Sequence, residues 1–342
     1  MIKPTQTLLA GLGLIVAPGL AEAQVVQANQ QLNAVQQQRQ LTGADQAYAT
    51  NTVPALVPDE ITDVGPQSVL KLKPRRQLLE ASADLQYFYT DNALFTEHDR
   101  KGSDVLVGTV EAALDPTPYA LGNGYFSPRL GFQQQWYNYG LADQASFQTY
   151  DYNTHTLAAK PLGALDFNAQ TIFMDAAWRW RNWIFTAGTD YRRLMDSTEY
   201  SQFYSELVPR WSAERLITLG ENTSLALSYQ GTYRVTDTSQ TSPGLDSSGY
   251  NRTDQSLMVA GTWKLCPQVI LQPYYRFEFS HYTGIHRDDA LNSCGLVLVC
   301  PLSRQVSVRA FVSYDHLNTD GAYVQSYDNL SAGGGLNLTV TY

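Results

Sequence analysis

The C-terminal stretch Leu330–Tyr342 alternates between two kinds of side chain. Its even-numbered residues are apolar or small, its odd-numbered residues are polar or small, and the sequence stops on an aromatic residue. A β-strand points successive side chains to opposite faces, so this pattern predicts a strand whose two faces meet different surroundings. Taken alone, the stretch fits a half-buried strand of a soluble sheet as well as a strand that faces lipid.

The same alternation recurs from about residue 78 to Tyr342. In the first segment Leu79 and Leu85 face one way, and Glu80 and Asp84 face the other. This periodicity is typical of a transmembrane β-barrel, whose strands carry apolar side chains at every second position. About twelve segments of this kind follow one another, at 79–90, 103–114, 126–139, 166–179, 183–194, 201–217, 223–235, 254–265, 268–281, 289–300, 304–316 and 327–342.

The connections between these segments alternate in length. The odd-numbered connections are long and polar, as in 142–164 and 237–252, whereas most even-numbered ones are tight turns, as in 181–182 and 220–222. The exception is 115–125, which is longer and rich in Pro and Gly. Antiparallel strands place all odd connections at one end, and long loops opposite short turns are typical of outer-membrane barrels.

The N-terminus predicts export. Residues 1–23 combine Lys3, the apolar run Leu8–Leu20 and the sequence Ala21-Glu22-Ala23, which correspond to the three parts of a secretory signal peptide. The apolar run is too short for a membrane anchor. With an even number of strands, both ends of the barrel would lie on the periplasmic side.

Residues 24–77 differ in composition from the rest. The stretch Gln24–Gln40 is rich in Gln and predicts at most a short, marginal helix, and prolines such as Pro54 and Pro66 interrupt regular structure further on. We interpret 24–77 as a periplasmic extension, partly disordered or helical, with a plug or tether as the functional alternative. The barrel domain is then 78–342.

Composition excludes several classes of protein. The net charge of -9, with no basic run, argues against nucleic acid as a partner. The mean hydropathy of -0.28 argues against a bundle of membrane helices, each of which needs about 20 apolar residues. A barrel remains compatible with this value, because its lipid-facing residues are diluted by inward polar ones.

In these respects the chain resembles the outer-membrane β-barrel proteins of diderm (Gram-negative) bacteria, the porin-like group. The resemblance implies an all-β, closed, antiparallel barrel embedded in outer-membrane lipid, with Leu330–Tyr342 as the strand that closes it. It also implies that the barrel-assembly machinery reads the last strand as a signal. The residues matching that signal are Leu336, Leu338, Val340 and Tyr342.

The alternation places many charged residues on the inward face, where they avoid the high cost of a charge in lipid. Arg192, Arg234, Arg276 and Arg309 fall at inward positions of strands of the same direction and predict a basic strip. Two interpretations stay open: a mixed-sign constriction for polar solutes, or a salt-bridged, largely closed interior. The predicted pore-lining residues are Asp84, Glu111, Arg129, Asp190, Arg192, Arg210, Arg234, Arg276, Glu278, Arg309 and Asp315.

Other inward positions carry aromatic side chains or none. Tyr137, Tyr274 and Phe311 are candidates for a sugar-binding surface or simple filling of the interior. Gly333 and Gly335 would leave the wall bare and mark a candidate opening.

Trp and Tyr are favoured at membrane interfaces, and the candidate girdle residues are Trp178, Trp180, Trp183, Trp263 and Tyr342 at the periplasmic end and Tyr87, Tyr89, Trp136, Tyr233 and Tyr314 at the outer end.

Motifs for catalysis, metals or cofactors are not recognisable. Cys266 and Cys300 both precede proline at predicted periplasmic turns, where a disulfide is chemically allowed. However, strands separated by a third lie about 10 Å apart, beyond the usual span of a disulfide. The five His residues fall near outer loops without a His–Ser signature, so we predict no enzyme and no cofactor.

The sequence therefore supports a porin-like channel for passive diffusion of small polar or anionic solutes. The alternative is a closed structural barrel whose loops or N-terminal extension bind an envelope partner. An outer-membrane hydrolase is a third hypothesis. The oligomeric state is not predicted.

Overall fold

A computed structural model of the chain describes residues 20–41, 78–98, 100–142, 145–151, 156–238, 247–266, 268–303, 305–321 and 324–342. The described residues form one α-helix, α1 (Leu20–Leu41), a 3-10 turn (Leu162–Leu165) and fifteen strands. These strands are β1 (Leu79–Thr90), β2 (Ser103–Leu114), β3 (Tyr119–Leu121), β4 (Gly124–Tyr139), β5 (Ser146–Asp151), β6 (Thr156–Pro161), β7 (Phe167–Trp180), β8 (Trp183–Asp196), β9 (Gln202–Thr218), β10 (Thr223–Thr238), β11 (Arg252–Cys266), β12 (Val269–Tyr282), β13 (Asp288–Pro301), β14 (Val306–Thr319) and β15 (Tyr327–Thr341).

Twelve of these strands close into an antiparallel barrel. They are β1, β2, β4 and β7 to β15, and each pairs with its neighbours along the chain. β15 pairs with β14 on one side and with β1 on the other, which confirms it as the closing strand. The Tyr342 amide bonds to the carbonyl of Leu79, so the two ends of the barrel wall meet. The predicted twelve-stranded barrel is confirmed.

The barrel is apolar outside and polar inside. Along β1 the exposed residues include Leu79, Leu85 and Tyr87, whereas Asp84 and Gln86 are buried. A soluble sandwich would bury the opposite set of side chains. The outer surface therefore matches a hydrocarbon solvent, and closure leaves no unpaired strand edge facing it.

The two ends of the barrel differ. We call the end that holds Leu79 and Tyr342 the turn end, and the end that holds Thr90 and Tyr327 the loop end. The connection expected at 115–125 is extended by β3, which folds back on β4. The long connection at 142–164 contains the hairpin β5–β6, a separate two-stranded sheet.

The helix α1 lies inside the barrel lumen. Near its C-terminal end Arg39 contacts Glu111, close to the turn end of β2. Near its N-terminal end Val25 lines a cavity together with Tyr327 at the loop end. The chain therefore runs through the lumen from loop end to turn end. This places the described part of the predicted extension within the barrel, while 42–77 and most of the predicted signal peptide lie outside the described residues.

None of the helices described is long and apolar enough to cross a membrane.

Candidate functional site

One face of α1 carries an apolar stripe. Val25, Ala28, Leu32 and Val35 recur at helical spacing, and all are buried in the interior. They belong to one apolar cluster with wall residues, among them Phe88, Val105, Val107, Tyr137, Phe167 and Leu194. The stripe explains why a Gln-rich segment of low intrinsic helix stability forms a helix here. Burial of its apolar side chains supplies the stabilisation that the helix propensity of the segment does not.

The opposite face of α1 is polar and contacts arginines of the wall. Arg234 Nη2 donates to Asn33 Oδ1 at 3.4 Å, and Arg276 Nη1 donates to Gln37 Oε1 at 3.2 Å. These are amide-to-guanidinium contacts on β10 and β12. A cavity remains on this side, between α1 and strands β11 to β15.

Arg39 fastens the C-terminal end of α1 to the wall. Its Nη2 lies 3.2 Å from Glu111 Oε2, and both side chains are almost fully buried. Arg129 approaches the other oxygen of Glu111 at 2.6 Å and also contacts Glu80 at 2.8 Å. Gln133 donates to Glu111 at 2.8 Å. Glu111 is thus held by several donors, one of which belongs to the helix.

The eleven predicted pore-lining residues all lie among the inward or partly buried positions, and most are already ion-paired. Arg309 binds Asp84 through two hydrogen bonds of 2.6 and 2.8 Å. Arg210 bridges Asp175 at 2.5 Å and Asp190 at 3.2 Å. Their role as a pore lining stays a prediction.

The predicted basic strip is not one continuous surface. Arg192 and Arg234 both contact Glu206, at 2.7 and 3.0 Å. Arg276 pairs instead with Glu278 on its own strand, and Arg309 pairs with Asp84. Carboxylates therefore separate these arginines into local pairs.

Sequence reasoning missed some members of this network. Arg252 and Asp254 pair at 2.9 Å at the start of β11, a position assigned to the edge of a loop. Glu80 and Asp175 lie at inward positions of the alternation, as the predicted pore-lining residues do, so the same rule could have identified them. Arg39 is the one charged residue of the stretch Gln24–Gln40, and this was the only sequence feature that could have indicated its role.

The expectation of an opening at Gly333 and Gly335 is wrong. The space over Gly335 is taken by the guanidinium of Arg309, and Phe88 packs directly against Gly333. Glycine serves here to admit large neighbours, because any side chain would collide with them. This part of the wall is filled.

The inward aromatics Tyr137 and Phe311 fill the interior. Tyr137 stacks on Phe167 with ring centroids 4.3 Å apart, and Phe311 packs near Phe88 at 5.8 Å. Tyr274 is buried in the same cluster. These contacts leave little aromatic surface for a sugar.

The three cysteines, Cys266, Cys294 and Cys300, are free. The disulfide considered between Cys266 and Cys300 is not formed, in keeping with the intervening strand β12. Within the described ranges, no group of His, Cys, Asp and Glu side chains is arranged to hold a metal ion.

The described parts of the loop between β4 and β7 fold onto the loop end of the lumen. Phe147 and Leu162 from this loop join the same apolar cluster as Val25 of α1. At its base Asp166 accepts a hydrogen bond of 2.7 Å from the Tyr139 amide. Burial, and to a lesser degree Asp196, raise the pKa of Asp166 to about 6, against the lowering effect of that hydrogen bond.

Comparison with known proteins identifies the fold class. No protein-family model matches the chain, and no curated protein matches its sequence. An outer membrane channel from Pseudomonas putida F1 is 11% identical with a TM-score of 0.50, over 82% of this chain and 100% of that one.

Two other barrels are less similar. The translocator domain of the autotransporter NalP from Neisseria meningitidis is 12% identical with a TM-score of 0.41, over 91% of this chain and 97% of that one. The KdgM porin is 9% identical with a TM-score of 0.36, over 75% of this chain and 98% of that one. The chain has the fold of outer-membrane β-barrel proteins.

Proposed function

We propose that the protein is an outer-membrane channel for passive diffusion of small polar or anionic solutes, closed by its own helix α1. The observation that carries this proposal is the polar face of α1. On this face Asn33 and Gln37 contact the wall through hydrogen bonds, and at the C-terminal end of the helix Arg39 contacts it through an ion pair. Water can replace such contacts at a small net cost, so these contacts offer little resistance to departure of the helix.

The inner wall that faces the helix can be hydrated. It carries ion pairs, amides and hydroxyls, which would hydrate when the helix is absent. Glu111 would keep Arg129 and Gln133 as partners after the loss of Arg39, so no buried charge would be stranded. Departure of α1 is therefore compatible with an intact barrel.

The loop end carries a row of charged side chains at the entrance. Arg234 and Arg252 are register neighbours on β10 and β11, and Arg252 faces Tyr282 on β12. Arg287 follows directly, since the Tyr282 amide bonds to its carbonyl. Three guanidinium groups thus lie side by side where a solute would enter, and each is paired with a carboxylate of Glu206, Asp254 or Asp289. Charges of both signs at an entrance suit small polar solutes.

A closed structural or interaction barrel is the second candidate. The apolar stripe of α1 supports it, because Val25 and Leu32 have no exposed surface. Withdrawing them from the lumen would return apolar area to water at roughly 25 cal/mol per Å². Under this alternative α1 never leaves, and the loops or the segment 42–77 bind an envelope partner.

The location of the protein in the outer membrane is part of the same proposal. A signal peptide at 1–23 would direct export, and the assembly machinery would insert the barrel by reading Leu336, Leu338, Val340 and Tyr342. The turn end would face the periplasm, with 42–77 as the periplasmic part of the extension.

Single-channel recording in planar bilayers tests the proposal. The full chain should be closed for most of the time, and a variant lacking residues 24–41 should conduct steadily. Heat-modifiable migration on gels serves as the control that both proteins are folded. A folded deletion variant that passes no current would contradict the channel and support the closed barrel.

A further inference from the structure

Four aromatic side chains form a stacked platform on the outer wall near the turn end. This aromatic platform consists of Trp178 and Trp180 on β7 and Trp183 and Phe185 on β8. Trp178 stacks on Trp180 with ring centroids 6.3 Å apart, and on Phe185 at 5.8 Å. Phe185 stacks in turn on Trp183 at 5.8 Å, with the two ring planes 11° apart. The rings therefore form one continuous layer across two strands.

Two arginines border the aromatic platform. The guanidinium carbon of Arg181, in the turn between β7 and β8, lies 5.1 Å from the centre of the Trp180 ring. That of Arg215 on β9 lies 5.5 Å from the centre of the Trp183 ring. Trp183 is the register partner of Trp180 on one side and of Arg215 on the other. The two cations therefore lie on neighbouring rings, and each is oriented by a cation–π contact.

Arg215 departs from the alternation of the barrel. Its register partners Trp183 and Leu227 lie on the outer face, and Arg215 itself is exposed there. In the turn-end half of the twelve barrel strands, as the structure describes them, no other charged side chain lies at an outward position. A lipid-facing arginine destabilises a barrel strongly at mid-membrane but little at the interface, so Arg215 belongs at the level of the lipid headgroups.

Arg181 is not a residue that its turn requires. Its φ of 53° lies in the left-handed region, where a hairpin turn favours Gly or Asn. Like Arg215, it is exposed and makes no ion pair with a carboxylate of the described residues, in contrast to lumen arginines such as Arg309. Both positive charges are therefore accessible from outside the barrel.

The position of the two cations identifies what they meet. They lie on the side of the wall that faces lipid, beside tryptophans, which favour the membrane interface. The anionic groups at that level are lipid phosphates. A guanidinium group bonds two oxygens of one phosphate, and the aromatic platform offers an apolar surface to the glycerol and upper acyl chains. Two positive charges also favour a headgroup of net negative charge over a zwitterionic one.

We propose that Arg181, Arg215 and the aromatic platform bind the headgroup of an anionic phospholipid in the leaflet at the turn end. The inference rests on the proposed location in the outer membrane, which makes this the periplasmic leaflet. It requires neither the closure by α1 nor any solute. The two guanidinium groups bond the phosphate, and the acyl chains extend along the outer wall past Leu227, which is 38% exposed.

Native mass spectrometry of the full chain tests the proposal. The protein is placed in nanodiscs that contain equal amounts of phosphatidylglycerol and phosphatidylcholine with the same acyl chains. After release from the nanodisc, the lipids that the protein retains are identified by mass. We expect phosphatidylglycerol to be the first lipid retained, with a preference of at least about tenfold, since each arginine near a membrane surface contributes about fivefold.

Arg215→Gln and Arg193→Gln form a matched pair. Both arginines are exposed at outward positions, but Arg193 lies near the loop end of β8, where it bonds to Gln170 at 2.7 Å. Arg215→Gln should lower the preference for phosphatidylglycerol about fivefold, and Arg193→Gln should leave it unchanged. The double variant Arg181→Gln, Arg215→Gln should retain the two lipids equally. Heat-modifiable gel migration confirms that each variant is folded.

The outcomes separate this inference from the channel itself. Equal retention of the two lipids by the unchanged chain, or equal effects of Arg215→Gln and Arg193→Gln, would overturn the lipid site. Neither result depends on current through the barrel. A conducting protein without this preference keeps the channel and loses the site, and a protein that passes no current but prefers phosphatidylglycerol does the reverse.

Discussion

Arg309 on β14 reaches across the closing strand to Asp84 on β1. Its two terminal nitrogens donate to the two carboxylate oxygens, at 2.6 and 2.8 Å, and both side chains are nearly buried. The strand between them, β15, presents Gly335 at the crossing point. A Cβ atom there would lie 3.1 Å from the Arg309 guanidinium carbon and 2.9 Å from the Leu85 carbonyl oxygen. Glycine therefore permits an ion pair that ties three strands together at the closure of the barrel.

Breaking this pair from one side should destabilise the barrel. Arg309→Met leaves Asp84 charged and buried, with a loss of about 3–5 kcal/mol in the free energy of unfolding. Adding Asp84→Leu removes the stranded charge and should recover most of that loss. Urea unfolding in lipid vesicles, followed by tryptophan fluorescence, measures both variants. A loss below about 1 kcal/mol for the single variant, as at an exposed pair, would contradict this role.

The lipid-facing assignment of the strands is testable at Leu257. This residue is 56% exposed at the middle of β11, on the apolar outer face. Leu257→Arg should lower the free energy of unfolding in lipid by about 2–4 kcal/mol, because it places a charge near the middle of the membrane.

Leu302 provides the matched control, since it is 67% exposed but lies in a turn outside the strands. Leu302→Arg should be close to neutral. Equal effects of the two substitutions would mean that the outer face of β11 meets water.

The inward fold of the loop between β4 and β7 should depend on pH. The folded-state pKa of Asp166 is raised to about 6. A raised pKa means that the stabilising contribution is present below the unfolded value and is lost as pH rises through about 6. Amide hydrogen exchange in the loop should therefore be slower at pH 5 than at pH 7 after correction for the intrinsic rate. Asp166→Asn should remove the difference, and a difference that persists in this variant would assign it to another group.

The terminal residue offers a test of assembly separate from stability. Tyr342 is 70% exposed at the turn end, and its backbone pairs with Leu79. Tyr342→Ser should reduce the amount of barrel found in outer-membrane fractions several-fold, while refolding of the purified chain in detergent changes little. Tyr119→Ser, at another exposed tyrosine, serves as the control. A parallel loss of refolding would point to stability rather than recognition.

The sequence predicted the barrel because every strand repeats one local rule. Alternation fixed the strand positions to within a few residues, and the same parity located inward charges such as Asp84 and Arg309. The pairing of these two could not be read from sequence, because it requires the closed register of β1, β14 and β15. The pair Arg252–Asp254 was missed because alternation fades at strand ends.

Local sequence rules could not predict the position of α1 either. Val25, Leu32 and Val35 have helical spacing, but a Gln-rich segment has no strong preference for a helix in water. Only the interior of a barrel of this width supplies the surface that buries the stripe. What fills the lumen therefore depends on the complete fold.

The most direct test of the plugged channel is the conductance of Arg39→Glu in the full chain. The new carboxylate would face Glu111, which Arg39 now contacts at 3.2 Å, and the repulsion between the two carboxylates would push the C-terminal end of α1 from the wall. Arg100→Glu, at an exposed ion pair with Asp328, is the matched control. We expect frequent opening of Arg39→Glu in planar bilayers, with Arg100→Glu as closed as the unchanged chain. A folded Arg39→Glu protein that stays closed would contradict a channel closed by α1.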